Sequence, residues 1–215
     1  MRVKIYSGPS ERPNRLSELG LEEISLLQAI QRGQATFAGC TLNHPKFYPG
    51  LAAWAETVAA LREQLLPLGW TRREQGNLPL TVSAAGNIAI TVSTGDEDTG
   101  RRNGSPCTKS GKGPRTITAV SANALQMKLF GDVRLQPEDL ESINGQMTWI
   151  LLFHRDMKEM EIRCELSRPV GMNQDGQVDG WVERILLGSM PFGSDRLENV
   201  EQSPNVEIEV RRKRA

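Results

Sequence analysis

Three consecutive carboxylates, Asp96, Glu97 and Asp98, follow a β-branched run that ends at Val92. A hard divalent ion takes carboxylate oxygen, and Mg²⁺ in particular is held by few protein ligands. With lysines beside it to neutralise phosphate charge, such a cluster can serve phosphodiester cleavage. Asp96, Glu97 and Asp98 are therefore the catalytic candidates of a metal-dependent nuclease or phosphodiesterase that uses Mg²⁺. Successive strand residues point to opposite faces, so the three converge only if the backbone turns there. No E-x-K strand completes a nuclease-type constellation. The alternative is a solvated acidic turn that needs no cofactor.

Directly after the acids come Arg101, Arg102, Lys109, Lys112 and Arg115, interleaved with Gly100, Gly104, Gly111 and Gly113. A flexible basic loop can follow a phosphate backbone with its charges and its exposed amides. It is not a P-loop: Pro106 stands where the first glycine belongs, and Gly113 stands where serine or threonine belongs. Aromatic residues that would stack bases are missing from this loop. The basic run Arg211, Arg212, Lys213 and Arg214 adds to the phosphate reading.

Beyond the loop, Gln126-Met127-Lys128-Leu129-Phe130 resembles the bacterial sliding-clamp-binding peptide, with Lys128 where serine or aspartate is usual. The resemblance implies that Leu129 and Phe130 fill an apolar clamp pocket while the Gln126 amide makes the polar contact. The competing reading makes Leu129 and Phe130 core residues at a helix end. Cys40 and His44, in C-x₃-H spacing, with His154 and Cys164, could supply a zinc site. They lack the C-x₂-C density of a structural one, and buried free cysteine is common. His154-Arg155-Asp156 reads as a strand end entering a turn rather than as a catalytic group.

The elements that must position these residues follow from hydrophobic periodicity. A helix is expected over about 18–32, capped by Ser17 and stopped at Gly33. A second follows Pro49-Gly50, with Leu51, Trp54, Val58, Leu61 and Leu65 on one face, and the two should pack together. The period then changes to two, and residues 80–92 read as a hairpin with its turn at 84–87. Residues 95–115 have no periodicity, and a structureless connection of that length is functional or mobile. A third helix is expected over about 116–129, then a polar connector over 131–146. Strands follow at about 149–154, 160–166 and 181–187, with a possible edge strand at Val206, Ile208 and Val210. On the second of these strands Met160, Ile162, Cys164 and Leu166 should be buried, and Glu161, Arg163, Glu165 and Ser167 wet. The four tryptophans should anchor the core.

Together these give an α+β fold: an N-terminal helical pair, a central β-hairpin with a long loop and third helix, and a mostly antiparallel C-terminal sheet. The regions 1–135 and 146–212 are expected to pack as one unit. The chain has 215 residues, with 26 Lys and Arg against 26 Asp and Glu, so any electrostatic recognition must be local. No stretch reaches the roughly 20 apolar residues that span a bilayer. The N-terminus lacks the apolar stretch of a secretion signal, and three separated cysteines give no disulfide framework. The expected setting is cytoplasmic and reducing. The favoured function is a non-enzymatic, nucleic-acid-associated binding or adaptor protein, with the clamp as a protein partner. The alternatives are the Mg²⁺ enzyme and an assembly subunit that uses an exposed edge of the C-terminal sheet.

Overall fold

The computed structural model describes residues 3–129 and 145–191. Its elements are β1 (Lys4–Tyr6), α1 (Glu11–Glu18), α2 (Glu23–Ala38), α3 (Tyr48–Leu65), β2 (Thr71–Gln75), β3 (Leu78–Val82) and β4 (Ile88–Thr94). After these come α4 (Pro114–Leu129), β5 (Met147–Asp156), β6 (Glu161–Met172), β7 (Val178–Leu186) and β8 (Met190–Pro191). The expected α+β class holds. One mixed, mostly antiparallel sheet runs β1-β7-β6-β5-β4-β3-β2, with β8 paired to β6. Strands β4 and β5 are adjacent and parallel, so the chain must leave the sheet between them, and α4 lies on that crossover. The expected connector, the strand at 206–210 and the basic run 211–214 lie outside the described residues, apart from 145–146 at the connector's end.

The helical N-terminus differs from expectation. A single helix over 18–32 is replaced by α1 and α2, because the chain reverses at Leu19-Gly20-Leu21. There the amide of Leu21 donates to the Leu16 carbonyl and that of Gly20 to Ser17, the paired bonds of a glycine-terminated helix end. Gly20 supplies the left-handed conformation this needs, at φ 70°, and Leu16 and Leu21 close the motif with an apolar contact in the core. Ser17 is thus near the end of a helix rather than capping one. Gly33 does not stop α2, which continues to Ala38. A β-carbon at Gly33 would fall on Thr57 Oγ1 and the Ala53 carbonyl oxygen, so its bareness lets α2 and α3 approach closely.

Helices α1 to α3 cover one face of the sheet. Leu26, Ile30, Leu61 and Leu65 pack there against Ile90, Trp149, Leu151, Cys164 and Ile185. The other face holds a smaller apolar cluster of Val120, Ile150, Leu152, Val178 and Trp181 beneath α4. Strand β2, with exposed Arg72, Arg73 and Glu74, was not expected. It is an edge strand whose charges guard its unpaired side, so it carries no apolar alternation to betray it. At the other edge β1 pairs with the stretch Glu183–Ile185 of β7.

Because the α2–α3 contact leaves no room for a methyl group, Gly33→Ala should lower the unfolding free energy by about 1–3 kcal/mol. Gly39→Ala, at the ordinary φ of −73°, should cost far less. Urea denaturation of both variants tests this, and equal midpoints would refute the close-approach account.

Candidate functional site

The segment 95–115 was expected to have no regular structure, and residues 95–113 have neither helix nor strand. The face of β6 beneath it was expected to be wet, and that expectation is corrected. Arg163, Glu165 and Ser167 are buried, as is Arg184 on β7, and the segment lies over them. Glu165 and Arg184 form a two-point ion pair at 2.5 and 3.0 Å. Their remaining capacity is met largely by the segment's main chain. The Glu165 carboxylate accepts the Gly100 amide at 2.8 Å and the Ser167 hydroxyl at 2.7 Å. Arg184 donates to the carbonyls of Gly104 at 2.7 Å and Arg101 at 3.1 Å. Arg163 donates to the carbonyls of Glu97 and Thr99, and to Asp156 Oδ2 at 2.6 Å.

The acidic triplet is built into the same turn. Asp96 accepts the amides of Asp98 at 3.1 Å and Cys107 at 3.0 Å, and Asp98 accepts that of Ser105. Glu97 is exposed. Aspartate short enough to cap its own loop does this routinely. Among the described residues no group of three or more His, Cys, Asp or Glu side chains could hold a metal ion. Asp96 and Asp98 thus spend carboxylate oxygens on backbone amides of their own segment, and Cys40, His44, His154 and Cys164 form no such group. His44 stacks on Tyr48 instead, and burial pushes the Cys164 thiol far up. Cys107 is likewise raised, first by burial and then by Asp96, which makes it a poor nucleophile.

Further along, Trp181 Nε1 donates to the Pro106 carbonyl at 2.7 Å, and Thr108 exchanges bonds with Val178. The Lys112 amide donates to the Gly176 carbonyl at 2.8 Å. Anchored so, residues 109–113 form one wall of a cavity of about 420 Å³ at the C-terminal end of β4. The cavity exists because β3 leaves β4 early. Their pairing is confined to Thr81↔Ile90 and Val82↔Ala89, and Pro79, with no amide to donate, lies beyond it. The Val92 and Thr94 carbonyls are taken instead by Trp54 Nε1 and the Lys109 amide, each at 3.0 Å. Phe47, Leu51 and Trp54 of the α3 region form the apolar wall.

The five basic candidates divide. Arg101 reaches Asp156 at 3.5 Å and Arg102 donates to Ser7 Oγ at 2.6 Å, away from the cavity. Lys109 and Lys112 line it. Arg115, in the first turn of α4, lies by the Gly76 turn, which lines the neighbouring hollow. Among the described residues none of Lys109, Lys112 and Arg115 has a carboxylate partner. Lys112 is half-buried, donates to Ser93 Oγ at 2.7 Å, and is held below the ordinary lysine value of 10.5 by burial. An anion brought to it would relieve that desolvation, and the first-turn amides of α4 favour negative charge nearby.

Of the clamp-like peptide, Gln126 is buried and donates to the Gln146 carbonyl at 3.1 Å, so its amide is turned inward. The side chains of Leu129 and Phe130 lie outside the described residues. The α3 wall was missed in the sequence because its residues lie some forty positions or more before the loop, on a helix whose apolar stripe looks like core. Comparison with known proteins finds no matching family model, no matching curated protein and no matching solved structure. No helix among the described residues is long and apolar enough to cross a membrane.

Two outcomes follow for the scaffold. Arg184→Met strands the Glu165 carboxylate and should cost about 3–5 kcal/mol in urea unfolding. Adding Glu165→Met should recover only part, because the Arg101 and Gly104 carbonyls still lack donors; full recovery would refute this. Asp156 is held well below the usual carboxylate range by its bond from Arg163 and by the amides of Glu159 and Lys158. The folded state therefore binds fewer protons than the unfolded chain between the two values. That contribution is complete above about pH 4 and is lost as pH falls toward the depressed value. In thermal melts the gap between the parent and Asp156→Asn should close over that range, and a constant gap would refute it.

Proposed function

We propose that the protein is a non-enzymatic, nucleic-acid-associated binding protein that takes phosphate through Lys109, Lys112 and Arg115. The observation that carries this reading is that Lys109 and Lys112 line one cavity and Arg115 stands by the adjoining Gly76 turn, none with a carboxylate partner among the described residues, while Asp96 and Asp98 are occupied by backbone amides. In a chain with equal numbers of acidic and basic residues, positive charge left uncompensated at a concave surface is where a polyanion is attracted. Arg101 and Arg102 stand apart from this cluster and act at most as remote contacts. The clamp-binding part of the reading gains no support from the inward-facing Gln126.

Phosphate contact is tested by its salt dependence. Three neutralised phosphates on a single strand give a slope of about −2 for log K against log salt. Replacing Lys109 and Arg115 by Ala and Lys112 by Met should abolish most of that slope, whereas Arg101→Ala with Arg102→Ala should leave it nearly intact. Absence of binding at low salt, or a triple variant that binds like the parent, would overturn the proposal.

A further inference from the structure

The same cavity has a second wall that phosphate alone does not use. Phe47 is 71% exposed and Leu51 49% exposed, and with the half-buried Trp54 they leave apolar surface facing the polar side formed by Lys112, Ser93 and Thr116. Exposed surface of this kind costs about 25 cal/mol per Å² in water, so a ligand that covers it gains what the free protein forgoes. The required ligand carries negative charge at one end and a flat apolar face at the other. A volume of about 420 Å³ lies at the small-ligand end of the range for binding pockets, far too small for a base-paired helix.

We propose that this cavity takes a single unpaired nucleotide, its phosphate at Lys112 and its base against Trp54 and Phe47. The inference rests on the phosphate reading above and adds the base. Trp54 is suited to the role: its Nε1 is fixed to the Val92 carbonyl at 3.0 Å, which holds the indole in place before any ligand arrives. Base–aromatic stacking accepts any base, since each has a π-face. The side-chain amide of Asn77, at the lip of the cavity, can donate to and accept from a base edge. The neighbouring hollow shares Trp54, Asn77 and Pro79 with the first, so a strand has room to continue past the tryptophan. A duplex cannot enter without surrendering a base from its stack.

The full chain is titrated with a fluorescein-labelled oligothymidylate, with a duplex of equal length, with thymidine monophosphate and with inorganic phosphate. The single strand should bind at least tenfold more tightly than the duplex and quench tryptophan emission, the other three tryptophans being buried. Trp54→Leu should remove the quenching and weaken single-strand binding about tenfold while leaving duplex binding unchanged. Phe47→Ala, at an exposed position, should weaken it by a smaller factor. Thymidine monophosphate competing as well as the strand identifies a free nucleotide as the ligand; weaker competition identifies the strand. Inorganic phosphate competing as well as the nucleotide would overturn the inference, as would equal affinity for strand and duplex in the parent and both variants. In those cases the salt slope carried by Lys112 would survive. Failure of every probe to bind would remove both readings.

Discussion

A carboxylate with no solvent exposure, Glu165, sits against an almost fully buried guanidinium, Arg184, and the second face of the sheet is arranged to make that pair tolerable. Removing both charges from water costs several kcal/mol each, which their attraction repays only if every remaining donor and acceptor is also satisfied. A two-point pair leaves the carboxylate able to accept more bonds and the guanidinium able to donate more. The main chain of residues 100–104 supplies both, through one amide and two carbonyls. The dependence is mutual. A connecting segment without helix or strand carries unpaired polar backbone, and covering a sheet with it would be ruinous if the sheet offered only apolar side chains. Polar side chains on β6 and β7 and the irregular backbone over them each make the other possible.

That mutual satisfaction decides where the site falls. From the ion pair the segment runs through the Trp181–Pro106 and Thr108–Val178 contacts to the Lys112 amide on Gly176. Each bond removes freedom from the chain, so by residue 112 the ammonium emerges at one fixed place, beside Ser93 at the end of β4. The opposite wall is set independently by α3, whose position depends on the bare backbone of Gly33. The gap between the two walls opens because Pro79 cannot continue the ladder. A preformed concavity with a desolvated, unpaired cation thus results from three unrelated local constraints. A ligand entering it has little ordering of the protein to offset.

Much of this was legible in the sequence, and the failures have physical causes. The 3-4-3-4 spacing from Leu51 to Leu65 and the alternation around residues 84–87 identified α3 and the β3–β4 hairpin, because burial on one face imposes a period. The α1–α2 reversal was signalled by Leu19-Gly20-Leu21, but the periodic leucines on either side of Gly20 read as one helix. Strand β2 had no apolar pattern to read. The alternation of β6 was seen and half misjudged: a buried polar face looks the same in sequence as a wet one when its partners are backbone atoms of a distant loop. The basic loop was visible as a charge cluster. Its division into Arg101 and Arg102 on one side and Lys109, Lys112 and Arg115 on the other depended on the path of the chain, which composition does not encode.

The division also follows a chemical logic. Arg163 and Arg184 are the side chains that hold the segment down, and guanidinium suits this because its rigid fork of donors can serve a carboxylate and several carbonyls together. Each of these two satisfies at least three acceptors at once. Lysine is a compact charge on a flexible stem, poor at bracing several groups but quick to change its partner. The cation left half-buried and unpaired at the cavity is Lys112, which spends only one bond, on a serine hydroxyl. Exchanging that neutral acceptor for an anionic oxygen needs no rearrangement of the segment, whereas drawing either buried arginine toward a ligand would undo the scaffold. The charge that braces the segment, on Arg163 and Arg184 of β6 and β7, and the half-buried charge left available, on Lys112, are therefore carried by different residue types.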